Sequence, residues 1–168
     1  MTKFDVLVGF SWTTFVARGP LQLDDFLGAI HAFFPRLIFK DVIWDLSAAS
    51  LDTMSRADFE VMICAVKGYE GIRGHAKTVF VTDSPATFAL VCMYTGLAAM
   101  AELNVDYSAF STQEHAERWL ICSRIHACGG PGSDSKLHSC GEKACQEVRH
   151  FQAARKTCPS IPIAVHSG

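Results

Sequence analysis

The residues best placed to do chemistry stand just after two apolar runs. Asp45 and Ser47 follow Val42, Ile43 and Trp44, and Asp83 and Ser84 follow Thr78 to Thr82. If the two runs are neighbouring strands, all four side chains gather at the carboxyl edge of a sheet, the usual ligand crevice of open α/β folds. Two carboxylates and two hydroxyls there suit proton transfer or ion binding. No His or Cys occupies the matching loops to complete a set of nucleophile, base and orienter. Aspartate and serine at strand ends are also ordinary turn and capping residues, and that plainer role is preferred.

A second group lies far along the chain. Of seven cysteines, five fall in the last 47 residues, interleaved with His126, His138, His150 and His166. Thiolates and imidazoles at this density are what tetrahedral zinc draws on, and Cys122, His126, Cys128 and Cys140 form the candidate ligand set, brought together by the link from Gly129 to Ser135. The spacing lacks a CxxC pair and any Cys pair followed by a His pair. The favoured reading of residues 123–168 is therefore a flexible polar extension, weakly helical near Glu142 to Lys156. Cys64 and Cys92 sit within amphipathic patterns and are expected to behave as small hydrophobes.

The elements that must position these groups follow from periodicity. Phe4, Val6, Val8 and Phe10 alternate, and Thr13 to Ala17 form a second β-prone run, so an antiparallel hairpin opens the chain. Leu23, Phe26, Leu27, Ile30, Phe33 and Phe34 recur at helical spacing, with Asp24 and Asp25 in the first turn and Pro35 as the stop. The unbroken run Val42 to Trp44 reads as a strand covered on both faces and ending at Asp45. Ser55 then stands three residues before Asp58, a reciprocal N-capping pattern, ahead of Phe59, Met62, Ile63 and Val66 on one helical face. Tyr69 to His75 reads as a polar, Gly-containing linker. Thr78 to Thr82 is a further buried strand, and Ser84 with Pro85 starts a helix reaching about Leu103. Val105 to Phe110 is the last strand, and Ser111 with Glu114 suggests another capping box. Strands and helices alternate after the hairpin, which predicts an α/β domain with a mostly parallel mixed sheet of about five strands under about four helices, over residues 1–122.

Composition sets outer limits. The net charge of −2 divides into −5 over residues 1–120 (nine Lys/Arg against fourteen Asp/Glu) and +3 over the remainder (six against three). No dense basic patch results, and nucleic acid is not expected as a partner. No apolar run approaches the roughly 20 residues that span a bilayer, and Asp5, Ser11 and Arg18 interrupt any signal-like block. No stable membrane insertion and cytoplasmic residence are the expectations. His31 and His75 have no partner visible in the sequence, and the helical phenylalanines are read as core.

With the elements in place, the chain resembles the STAS family (sulfate transporter and anti-sigma factor antagonist type). It resembles more closely the soluble bacterial STAS-like proteins, whose fold is related to the lipid-binding CRAL-TRIO/Sec14 domains. The resemblance rests on VIWDLSAASL (Val42 to Leu51), KTVFVTDSPATFALVCM (Lys77 to Met93) and FSTQEHAERWL (Phe110 to Leu120), and it covers about residues 1–122. Anti-sigma factor antagonists of this family carry a phosphorylatable Ser or Thr after an Asp, before the helix that follows the central strand. The matching positions here are Asp52 and Thr53, with Ser55 two places on, although Met54, Ser55 and Arg56 stand where the family has Gly. The resemblance thus implies Thr53 and Ser55 as phosphorylation sites, against the plainer reading in which Ser55 caps the helix.

The expected function is a non-enzymatic regulatory or interaction domain without a cofactor. It would bind a protein partner or form a homodimer through an edge made by Asp45, Ser47, Asp52, Thr53, Ser55, Asp83 and Ser84. Two alternatives remain open: a carrier for a small apolar or lipid ligand, admitted between the helices at Leu23 to Phe34 and Phe88 to Leu103, and a metal-binding regulator acting through the tail.

Overall fold

A computed structural model describes the backbone of residues 3–127 and the side chains of residues 3–122. In chain order the elements are β1 (Phe4–Val8), β2 (Thr13–Pro20), α1 (Leu23–Phe33), a 3-10 turn (Phe34–Arg36), β3 (Val42–Ser50), α2 (Arg56–Lys67), the short α3 (Glu70–Arg73), β4 (Ala76–Val81), α4 (Pro85–Met100), β5 (Val105–Phe110) and α5 (Gln113–Ala127). The strands form one sheet in the order β1-β2-β3-β4-β5. β1 pairs with β2 antiparallel, and each later neighbour is parallel. The fold is the α/β arrangement with an N-terminal hairpin that hydrophobic alternation implies. Parallel neighbours cannot be joined by a tight turn, so each crossover carries a helix.

Because side chains alternate along a strand, the register divides the sheet into two faces. Phe4, Phe15, Trp44, Phe80 and Tyr107 share one of them. Phe15 stacks on Trp44 with ring centroids 4.4 Å apart. Phe26 of α1 meets Trp44 at 5.5 Å, and Tyr94 of α4 meets Phe80 at 5.6 Å. Phe59 carries α2 onto the same layer through Tyr94. Helices α1, α2 and α4 therefore cover this face, with α2 packed against both of the others. Trp119 of α5 lies against Phe110 and beneath the Lys77 ammonium, which puts α5 on the opposite face over β4 and β5. Burial on both faces explains the continuous apolar runs in β3 and β4.

Several boundaries differ from the sequence expectation, each for a local reason. β3 does not end at Asp45 but continues to Ser50, because Leu46 remains buried and the tip of β2 pairs alongside Ala48 to Ser50. β2 likewise continues through Arg18 and Gly19 to Pro20, where Gly19 adopts a φ of 71° that a side chain would oppose. α5 is capped by Thr112 rather than Ser111: its Oγ1 accepts from the His115 amide at 3.4 Å, one position later than the expected box. Cys64 is exposed, since the buried stripe of α2 is Phe59, Met62, Ile63 and Val66 and position 64 falls beside it. α5 runs five residues past the expected domain boundary at 122, and the rest of the tail lies outside the described residues.

No helix among the described residues is long and apolar enough to cross a membrane. The aromatic layer is buried at the centre of the core, with Phe15 fully inaccessible and Leu7 on the edge strand exposed. Phe15→Ala is expected to cost about 3–5 kcal/mol in urea unfolding, whereas Leu7→Ser on the exposed edge strand stays within about 0.5 kcal/mol. A smaller loss at Phe15 than at Leu7 would contradict this layering.

Candidate functional site

The residues expected to line one edge of the sheet are distributed over three places. Asp45 pairs across from Val81, the last residue of β4, so Asp83 and Ser84 leave the sheet at nearly the same level. Asp45 and Ser47 lie on the face turned away from Trp44 and Leu46, and hence away from α1 and α2. The Asp45 carboxylate accepts from the Ser47 amide at 3.0 Å, a local turn-like bond within the strand. Ser84 caps α4 by accepting from the Thr87 amide at 3.3 Å. Asp83 is exposed.

Asp52, Thr53 and Ser55 stand elsewhere. β3 outruns β4 by five residues, and at about 3.3 Å per residue Ser50 lies on the order of 16 Å beyond the level of Asp45. Over that stretch Arg18, Gly19 and Pro20 of β2 remain paired with Ala48, Ala49 and Ser50, and the Leu21 amide donates to the Ser50 carbonyl at 2.9 Å. The turn that follows is fastened at both ends. The Thr53 hydroxyl donates to the Leu21 carbonyl at 2.9 Å, and the Met54 amide donates to the Leu51 carbonyl at 2.8 Å. Leu21, Leu51 and Met54 are buried beneath it. The result is a protruding rim whose exposed residues are Arg18, Gly19, Pro20, Ser47, Ala48, Asp52, Thr53 and Ser55.

Ser55 is the N-cap of α2 in a complete capping box. Its Oγ accepts from the Asp58 amide at 3.3 Å and donates to the Asp58 carboxylate at 2.6 Å, which also accepts from the Ser55 amide at 2.8 Å. These bonds hold the Asp58 carboxyl below the usual carboxylate range, the Ser55 hydroxyl contributing most. Both candidate phosphorylation sites thus have engaged hydroxyls. A phosphate on Ser55 would face the Asp58 charge, and one on Thr53 would replace the bond to Leu21.

Among the described residues no group of three His, Cys, Asp or Glu is placed to hold a metal ion. Of the proposed zinc ligands, Cys122 is half-buried on α5. The His126 side chain, Cys128 and Cys140 lie outside the described residues. Both histidines without a visible partner in the sequence have one in the fold. His31 Nδ1 shares a hydrogen bond of 2.9 Å with the Tyr69 hydroxyl, and His75 Nδ1 shares one of 3.0 Å with Asn104 while its Nε2 is 3.7 Å from Asp106.

One polar cluster escapes a sequence reading altogether. Arg73, at the end of the four-residue α3, is 1% exposed. Its Nε and Nη2 donate to the Lys40 carbonyl at 3.3 and 3.0 Å, and Nη2 also reaches the Lys77 carbonyl and the Thr78 hydroxyl at 3.4 and 2.9 Å. The guanidinium lies over the Phe34 ring, 4.9 Å from its centroid. Burial lowers its pKa, opposed by the neighbouring Tyr107, Tyr94 and Asp41, and the group stays charged. Asp41 completes the collar by accepting from the Lys77 amide at 2.9 Å. This cluster sits at the amino end of β4, opposite the edge where ligands of open sheets gather. An Arg in a Gly-bearing linker carries no sequence mark of burial.

Compared with models of known protein families and with curated proteins, the chain matches none.

Two outcomes follow for this region. Ser55→Ala is expected to lower the melting temperature by a few degrees at neutral pH, as lost caps do. Because the folded Asp58 pKa is depressed, its contribution is present above the ordinary carboxylate range and fades as pH falls through the lower folded value. The gap between wild type and Ser55→Ala should therefore narrow in acid; a gap that widens there contradicts the assignment. Arg73→Ala should cost about 3 kcal/mol in urea unfolding, because it strands the Lys40 carbonyl and the Thr78 hydroxyl in the interior. A loss below about 1 kcal/mol would remove the clamp from the account.

Proposed function

We propose that residues 3–127 form a non-enzymatic, cytoplasmic STAS-like interaction domain that binds a protein partner, or a second copy of itself, through the rim at the tips of β2 and β3. The observation that carries this reading is the overhang itself: two parallel strands and a turn project past β4 and are fixed by Leu21–Ser50, Thr53–Leu21 and the Ser55–Asp58 box. A surface already ordered before contact loses little conformational entropy on binding. Apart from Arg18, its exposed side chains are short, so a partner can approach the backbone closely over most of the rim. Asp52 adds a charge that helps select the partner's orientation.

The element order supports the same reading through its likeness to STAS-like domains. The Asp–Thr pair that resembles the family's regulatory motif lies on this rim, so modification of Thr53 or Ser55 would alter the binding surface directly. Asp45 and Ser47 border the rim on one sheet face, with Asp83 and Ser84 beside them. Among the described residues, the space between the sheet and the helices offers an apolar carrier little support. The cavity between the sheet and the three helices measures about 10 Å³, far below the several hundred Å³ of ligand pockets, and α2 separates the helices that would have to part.

The test is association of the full chain in its native state. Wild type should form a dimer in sedimentation or capture a specific protein that survives salt washing. Ala48→Arg should weaken that association about tenfold or more with its melting curve unchanged, a change equivalent to ~1.4 kcal/mol. A strictly monomeric wild type without any specific partner contradicts the proposal, as does association that Ala48→Arg leaves intact.

A further inference from the structure

We propose that the amino end of the sheet docks onto an anionic lipid bilayer, with Phe10 and Ile38 entering the interface and Arg36 and Lys40 facing the headgroup phosphates. The surface lies at the opposite end of the strands from the rim and does not depend on it. β1 ends at Val8, and the Gly9 amide donates to the Trp12 carbonyl at 3.0 Å, which leaves Phe10 and Ser11 at the apex of the turn into β2. Phe10 is fully exposed there, although its type and its place in the alternation of Phe4, Val6 and Val8 mark it for burial. Val8 is itself more than half exposed.

A second apolar tip stands alongside. The Thr13 amide donates to the Asp41 carbonyl at 3.0 Å and Thr13 pairs with Val42, so the segment entering β3 runs beside the β1–β2 turn at strand spacing. Ile38, three residues before Asp41, is 75% exposed on that segment. Single exposed hydrophobes are ordinary, whereas large apolar side chains on adjacent loop tips form a patch that marks an interaction surface. Trp12 is half-buried at the base of the turn, its indole nitrogen 3.9 Å from where a side chain on Gly9 would begin. An amphipathic ring in that position suits the boundary between headgroups and acyl chains.

Charge supplies the complement. Arg36 and Lys40 each stand two residues from Ile38, both are exposed, and neither joins an ion pair among the described residues. A Cβ on Gly74 would meet the Lys40 ammonium at 3.3 Å, which extends the basic surface to the turn before β4. The acids of this end lie apart from the patch or are engaged: Asp41 is buried and accepts from the Lys77 amide, Glu70 accepts from the Asn104 amide, and the exposed Glu102 and Asp106 stand at the approach to β5, three places from β2 in the sheet. Anionic bilayers attract such basic residues and accept apolar side chains at the headgroup boundary, without any spanning segment. A second copy of the chain suits the patch less well, because a two-fold contact sets Arg36 and Lys40 against their own counterparts. A protein partner would need a pocket for each protruding tip, whereas lipid closes around them.

Flotation of the full chain with vesicles of phosphatidylcholine alone, or with about a third phosphatidylserine, tests this. Wild type should partition about tenfold more strongly onto the serine-lipid vesicles, and less so as salt is raised. Phe10→Ser should lower that partition about tenfold or more, and Arg36→Gln combined with Lys40→Gln by a similar factor, with melting curves unchanged. Ile38→Ser gives a second apolar variant. Lipids brominated in the acyl chain should quench wild-type tryptophan fluorescence and lose most of that effect in Trp12→Phe, since Trp44 is buried in the core. Absence of binding to either vesicle, equal binding to both, binding that Phe10→Ser and Ile38→Ser leave intact, or quenching that survives Trp12→Phe would each overturn the proposal. So would lipid-free self-association that Phe10→Ser abolishes, which assigns the patch to a second copy.

Discussion

Phe15 stacked on Trp44 is the contact on which the rest of the architecture depends. The rings lie 4.4 Å apart with their planes 19° from parallel, one from β2 and the other from its parallel neighbour β3. Parallel strands have no hairpin to set their register, so side-chain fit has to do it. A slip of one residue would turn Trp44 and Phe15 toward the opposite face and bring Asp45 into the aromatic layer. Phe4 from the hairpin and Phe26 from α1 close on the same pair at 5.2 and 5.5 Å from Trp44. Once that register is fixed, the lengths of β2 and β3 decide that their tips project beyond β4. The rim is thus a consequence of core packing rather than of any residue within it.

The opposite end of the sheet is governed by a different kind of interaction. Arg73 is a buried cation whose desolvation is offset by carbonyls of two chain segments, a hydroxyl and an aromatic face. Such a group is a poor source of net stability compared with a well-packed hydrophobe, but it is intolerant of misplacement. It therefore specifies where the short α3 must sit between α2 and β4. The two ends divide the labour: hydrophobic register at the centre, polar specification beneath the amino ends of the strands, and an exposed ordered rim at the carboxyl ends.

Much of this was legible in the residues. Alternation in Phe4 to Val8 and Val105 to Phe110, the 3.6-residue spacing of Phe59, Met62, Ile63 and Val66, and the Ser55–Asp58 and Ser84–Pro85 starts are local signals, and local signals survive into the fold. The extent of β3 was not read, although Trp44 and Leu46 against Asp45 and Ser47 is itself an alternation. The small, polar residues after Trp44 resemble a loop, and only the tip of β2 makes them a strand. The scattering of the candidate edge has the same origin, since Asp45 and Thr53 look adjacent on a chain that turns at Asp45 and are far apart on one that continues to Ser50. Arg73, Tyr94 and Tyr107 come together through non-local contacts between α3, α4 and β5, for which no spacing rule exists. The partners of His31 and His75, 38 and 29 positions away, were hidden for the same reason.

What distinguishes this rim from an ordinary set of surface loops is that its backbone is committed before any partner arrives. Native-state amide hydrogen exchange addresses that directly, residue by residue. The Leu21 amide, bonded to Ser50, and the Met54 amide, bonded to Leu51, should exchange as slowly as amides in the middle of β3 and β4, opening only with global unfolding. Exchange of Leu21 and Met54 at rates close to those of an unstructured chain, while the central strands stay protected, would show that the tips of β2 and β3 fray and would contradict the account.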